Sequence, residues 1–329
     1  MKQRRLILTG IAAAIAAPLI LGGGTVHAQD FPSKPVRVIT PFPPGAGPEV
    51  AMRVVSEPLA RKWDQPVIVD NRSGGNGLIA VNLFKSAPED YHNLLLIDSN
   101  HATTHPHTFQ NLPYDVQQDF QPIGIILRTP FFVAVAPDSP YQSVEDIVSA
   151  AKADPEGITY GSWFVGSPGH IGAARLESLS DVRMQHIPYR DFGQLYAAVS
   201  TQEVDWALGS IASAGALERG GKLRFLALAA PERSPLYPDV PATSERPGLQ
   251  DFQVNAWVGL FAHKSMPAEV RDQVAADLRE ALGQASVVER YQSLGYETPQ
   301  PTPSEFGALI QRETDGWADI IRAANIRLD

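Results

Sequence analysis

The chain has 329 residues, no cysteine and a formal charge of -9 at pH 7, from 27 basic and 36 acidic side chains. Without cysteine there are no disulfides, no thiol catalysis and no cysteine-ligated zinc. The acidic balance argues against nucleic acid or an anionic lipid surface as a partner.

Lys2, Arg4 and Arg5 form a basic start, residues 6–24 are nearly uncharged and rich in Ala, Leu and Ile, and Val26-His27-Ala28 is a small-x-small cleavage site. This reads as an export signal over 1–28, cleaved near Ala28 and followed by a chain with no further membrane-length apolar run. The Arg4-Arg5 pair also permits the twin-arginine route beside the general one. Removing three basic residues takes the formal charge from -9 to -12 over the remaining 301 residues, enough chain for two domains with real cores.

Strands are expected at 36–40, 67–70, 94–97, 123–127, 131–136, 158–161, 185–188, 204–208, 223–229 and 253–261. Helical periodicity falls between them at 51–63, 144–153, 171–179 and 213–219, and again at 303–324. The alternation predicts an α/β fold with mostly parallel sheets, whose ligands sit at the carboxyl ends of the strands. Ser143 heads an acidic first turn, and Thr302-Pro303-Ser304-Glu305 is a capping box. Two long apolar stretches, "TPFFVAVAPDSPY" and "VNAWVGLFAHKSMP", flank a block with its own βα alternation. That is the plan of a hinged, two-lobed binding protein: lobe 1 from 29–128 plus 255–329, lobe 2 from 129–254, and a ligand cleft between them.

Two segments between a strand and a helix are candidates for anion binding. In "TPFPPGAGPEV" (40–50), Gly45, Ala46 and Gly47 bring backbone amides close together, and the helix after Pro48 adds partial positive charge. The segment lacks the Lys-Ser/Thr of a phosphate loop and the G-x-G-x-x-G of a dinucleotide site. A rigid turn without a ligand is the competing reading. In "YGSWFVGSPGH" (160–170), Ser162 and Ser167 add hydroxyls to glycine amides, and the aromatic pair Trp163 and Phe164 either walls a pocket or plugs a core.

Other chemistry has little support. No serine sits in G-x-S-x-G, and the Ser167, His170 pair has no acid placed beside it. His101, His105 and His107 in "HATTHPH" are the one metal candidate, weakened by Pro106 and the lack of a nearby acid. Glu203 and Asp205 fall two apart on a short strand and read as solvated.

Several segments in order resemble the Bug family, the TctC-like substrate-binding receptors of tripartite tricarboxylate transporters: "FPSKPVRVITPFPPGAGPE", "QPVIVDNRSGGNGLIA", "LPYDVQQDFQPIG", "YGSWFVGSPGHIGAARL", "HIPYRDFGQLYAAV", "GKLRFLALAAPERSPLYPDVPATSE" and "WVGLFAHKSMPAEV". The resemblance implies a monomeric periplasmic receptor, not an enzyme, with two α/β lobes and no cofactor. It would capture a small carboxylate and pass it to membrane permease subunits, or present it to a sensor kinase. The family's ligand-holding turns match 42–47 and 162–167 here. The expected ligand-binding set is therefore Phe42, Pro43, Gly45, Ala46, Gly47, Ser162, Trp163, Phe164, Ser167 and Gly209.

The chain departs from the family pattern at Ala46, Pro48 and Glu49, at Trp163-Phe164-Val165, at Gly209-Ser210 in place of an aspartate, at His105-Pro106 and at Arg190-Asp191. These changes point to an aromatic or largely apolar carboxylate rather than an amino acid or citrate. A metal-dependent enzyme or binder built on His101, His105 and His107 is the rival from another class.

Overall fold

The computed structural model describes residues 31–155 and 157–328. The expected export signal, 1–28, lies outside the described residues. The chain first forms β1 (Val36–Thr40), α1 (Gly47–Trp63), β2 (Val67–Asn71), α2 (Leu78–Lys85) and β3 (Asn93–Asp98). A π-helical turn, Asn100–Thr104, then runs into α3 (His105–Thr108), α4 (Val116–Asp119) and β4 (Phe120–Pro130).

A second unit follows: β5 (Phe132–Val135), α5 (Val144–Ala153), β6 (Thr159–Ser162), α6 (Pro168–Ser180), β7 (Gln185–Pro188), α7 (Phe192–Ser200), β8 (Trp206–Gly209), α8 (Ile211–Arg219) and β9 (Arg224–Leu228). The chain returns through β10 (Asn255–His263), α9 (Ala268–Leu282), α10 (Ala285–Ser293) and α11 (Pro303–Ala323).

Two five-stranded sheets result, ordered β2-β1-β3-β10-β4 and β7-β6-β8-β5-β9. Each holds three parallel strands, then one antiparallel strand, then an edge strand that regains the first direction. The sheets are mixed, and the reversed strands, β10 and β5, are those next to the crossings between lobes. A strand that enters a lobe from its neighbour starts at the opposite end from one delivered by a βα crossover, so it pairs antiparallel.

Side chains alternate between the two faces of the first sheet, and both faces are covered. Val36, Val38, Leu94, Leu96, Val258 and Leu260 join a core with α1, α9 and α10, whereas Ile39, Leu95, Ile97, Trp257 and Phe261 pack toward α2 and α11. This explains why these strands read as unbroken apolar runs. The second sheet surrounds itself with a separate core that includes Phe132, Leu176, Tyr196 and Trp206.

The lobes are joined where β4 passes into β5 and where β9 leads to β10. Phe131 N–H donates to Val254 O at 3.1 Å, Val254 N–H to Ala229 O at 2.9 Å, and Ala229 N–H to Phe131 O at 2.8 Å. This triangle of backbone bonds ties the two crossings together. The capping box expected at Thr302 and Glu305 starts α11, which contacts β4 and the π-helical turn on one side and α6 on the other. Ile321 and Ile326 bury against Ile171 and Ala174 of α6, forming a small core that spans both lobes.

Candidate functional site

The carboxyl ends of β1 and β6 carry the two turns singled out in the sequence. In the first, Gly45 takes φ +84, a conformation that disfavours any side chain, and Ala46 serves as the N-cap of α1 without a capping side chain. Pro48 has no N–H, so Gly47 and Glu49 carry the amides of the first turn of this 17-residue helix, which has no side-chain cap. Glu49 is buried, and its Oε2 accepts the Gly45 N–H at 3.0 Å while Oε1 pairs with Arg53. The Ala46 N–H turns back to Pro43 O at 3.1 Å. Of the three amides expected to face a ligand, those of Gly45 and Ala46 are thus held inside the turn. Pro43 and Gly45 are exposed, and Phe42 is half-buried, edge-on to His101 with ring centroids 6.5 Å apart. Asn71 Nδ2 steadies the turn by donating to Phe42 O at 2.8 Å.

In the second turn Ser162 and Ser167 are both buried. Ser162 Oγ donates to Phe164 O at 2.9 Å and so accepts from His186 Nε2 at 2.7 Å, which fixes the proton on that ring nitrogen. Ser167 Oγ caps α6 by accepting His170 N–H, and His170 Nδ1 accepts Gly166 N–H at 3.0 Å. His170 therefore offers no base to the Ser167 hydroxyl. The two histidine rings stack at 3.7 Å with 12° between planes. Burial lowers both, His170 to about 3 with help from His186, and His186 to about 4.

Trp163 and Phe164, adjacent in sequence, go opposite ways. Trp163 is buried, stacks on Phe131 at 5.7 Å and touches the backbone of Gly169, so it plugs the second core. Phe164 is 49% exposed, as is Phe192 at 40%, and both rings contact Trp163. Phe192, at the start of α7, was not singled out in the sequence. Gly209 is buried at the end of β8, where a Cβ would lie 2.7 Å from that of Ala214 and 3.0 Å from Tyr196 Oη. Close packing alone accounts for a glycine there.

Two bridges tie the region of the first turn to the second lobe. Asn100 Nδ2 donates to Gly166 O at 3.1 Å, while the next residue, His101, lies against Phe42 and Gly77. On the other side, Tyr296 Oη covers Gly47, and Gly295 abuts Ile211 just after Gly209-Ser210. Asn100 could have been found as the residue that follows the third parallel strand. Gly295 and Tyr296 have no local signal, because they come from the loop after α10.

The three histidines of "HATTHPH" do not converge. His101 Nδ1 bonds Asp98 Oδ1 at 2.5 Å, His105 Nδ1 bonds Tyr114 Oη at 3.0 Å, and His107 Nε2 donates to Thr314 O at 2.8 Å. Tyr114 already donates to His101 O, so His105 must give its Nδ1 proton to the phenol. Burial, and then His101, lowers His105 to about 3. Burial pushes the Asp98 carboxyl up, but the charge and hydrogen bonds of His101 outweigh it and hold it below the ordinary range. Among the described residues no group of three histidine or acidic side chains is placed to hold a metal ion. The metal-based alternative is corrected accordingly: the His101 and His105 rings lie 4.8 Å apart, but each of the three histidines is hydrogen-bonded to a separate partner.

Comparison with known proteins agrees with the fold. The family model TctC, tripartite tricarboxylate transporter family receptor, matches residues 51–326. A protein encoded in the tcbD-tcbE intergenic region of Pseudomonas sp. (strain P51) is 30% identical over 321 residues, covering 97% of this chain and 94% of that protein. Among solved structures, a periplasmic transporter is 28% identical with a TM-score of 0.77, covering 91% of this chain and 100% of the other. MatC from Rhodopseudomonas palustris, solved with bound malate, is 27% identical with a TM-score of 0.75, covering 88% and 100%. The chain belongs to the TctC family and is a periplasmic receptor of the tripartite tricarboxylate transporter type, not an enzyme.

Proposed function

We propose that this receptor captures a small carboxylate between its lobes, 29–128 with 255–329 and 129–254, and delivers it to the permease subunits of a tripartite transporter. The observation that carries the reading is that Asn100 reaches the second βα turn at Gly166 beside the first, while Gly295 and Tyr296 link the first turn to the start of α8. The uncapped start of α1 supplies the Gly47 and Glu49 amides and the positive end of a helix dipole to the carboxylate. MatC, a relative solved with malate, supports a carboxylate as the ligand class.

The organic part of the ligand lies against Phe42, Phe164 and Phe192, which favours an aromatic or largely apolar body. Pro43, Gly45 and Ala46 shape the first turn. Ser162, Trp163, Ser167 and Gly209 hold the second lobe's wall in place from behind.

A thermal-shift screen of benzoate, malate, citrate and glutamate tests this. A ligand that binds only the folded state stabilises it by about 2.7 kcal/mol at a hundred times its Kd. We expect benzoate to raise the midpoint most, and a Phe164→Ala, Phe192→Ala double variant to weaken it by about ten-fold or more from lost apolar burial. If no carboxylate shifts the midpoint while a neutral solute does, the reading is wrong.

A further inference from the structure

A second opening between the lobes lies beside the hinge. It is a cavity of about 800 Å³, walled by the π-helical turn, by Gln253, Val254 and Asn255 of the crossing, by α6 and by α11. No residue of the two turns, 42–47 and 162–167, lines it. The volume falls within the range of about 300–1,000 Å³ typical of small-molecule sites.

Three guanidiniums meet on its walls: Arg128 from β4, Arg175 from α6 and Arg312 from α11. Arg128 is paired with Glu297 at 2.6 Å. Arg175 has no such partner. Its Nε and Nη2 donate to the Asp251 carbonyl at 3.1 and 2.9 Å, and its charge lies 5.6 Å from the centre of the Trp317 ring. Among the described residues, neither Arg175 nor Arg312 has a carboxylate within 4.0 Å.

Two acids also line the wall, and the charge of Glu313 acts on Arg312, Arg128 and Arg175. Glu305 closes the capping box with Thr302, and Glu313 accepts the Trp257 indole N–H at 2.8 Å. Arg175 and Arg312 both keep their protons, and Glu313, the half-buried carboxylate that faces them, is shared with Arg128 and closes an ion pair with neither, so an external anion can still pair with both. Trp317, Ile171 and Leu309 add apolar surface beside them.

We propose that this hinge cavity is a second small-molecule site, for an organic anion whose carboxylate pairs with Arg175 and Arg312 while its apolar part rests on Trp317. Arg175 belongs to the second lobe, and Arg312 and Trp317 belong to α11. Occupancy therefore depends on the angle between lobes, and it is linked to binding at the two turns in both directions.

Indole ¹⁵N–¹H spectra of the protein test the site, with benzoate and glutarate as probes and with Trp163→Phe, Trp257→Phe and Trp317→Phe to assign the signals. At least one probe should shift the Trp257 and Trp317 signals saturably. Arg175→Gln and Arg312→Gln should each weaken that titration by about ten-fold, the loss of a charge-assisted pair. Arg312 is on the exposed side of α11, so its variant carries the test if Arg175→Gln fails to fold. The Trp163 signal reports binding at the turns separately. Movement of Trp163 alone, a linear drift without saturation, or unchanged affinity in the Arg312→Gln variant would each overturn the proposal.

Discussion

Glu49 places a carboxylate of the protein's own inside the turn that sequence reasoning assigned to a ligand's carboxylate. It is 1% exposed, holds the Gly45 N–H and is paired with Arg53. The receptor thereby fixes the shape of the turn from within. Glu49→Ala removes the charged acceptor of the Gly45 amide and the partner of Arg53, and should lower stability by about 1–3 kcal/mol. Glu49→Gln keeps an acceptor and should cost less. Urea denaturation distinguishes the two, and equal losses would show that the charge, not the hydrogen bond, holds the turn.

At the scale of elements, the turn between β6 and α6 rests on the stacked rings of His170 and His186. Both are held below their ordinary value in the folded chain, at about 3 and about 4. An unfolded chain takes up these protons near pH 6.5, so the folded state keeps its full advantage above that pH. The advantage is lost as pH falls from about 6.5 toward 4, by up to about 1.4 kcal/mol per pH unit for each histidine. Glu177 and Glu313, both pushed up by burial, tilt the profile the other way, so the wild-type slope alone is not diagnostic. His186→Asn should flatten the loss between pH 6.5 and 5 in urea midpoints. An unchanged slope would mean that the pair accepts protons while folded.

For the whole molecule, the decisive contact is the one between lobes at Gly295 and Ile211. Gly295 takes φ +68, and a Cβ there would sit 2.7 Å from that of Ile211. Gly295→Ala meets both a left-handed backbone, at about 1–2 kcal/mol, and a collision across the cleft. The variant should scatter X-rays with a larger radius of gyration than wild type, and a ligand that closes the wild type should bind it more weakly. Identical scattering and affinity would show that this contact does not limit closure.

The sequence by itself determined the alternation of strands and helices, the caps at Ser143 and Thr302, the two βα turns and the family, because each is written in local periodicity or in contiguous motifs. The crossing segments were legible too, as apolar runs bounding a block with its own pattern. Only the tertiary structure decided which atoms of the turns are already engaged. Glu49 on Gly45, His170 on Gly166 and His186 on Ser162 are choices among competing partners that depend on side-chain direction. It also separated Trp163, turned into the core, from Phe164, turned outward. Asn100, Ile211, Gly295 and Tyr296 make contacts between the lobes from three distant parts of the chain, and the Arg128, Arg175 and Arg312 cavity draws on three elements. Such juxtapositions follow from how helices pack across a hinge, and no local pattern encodes them.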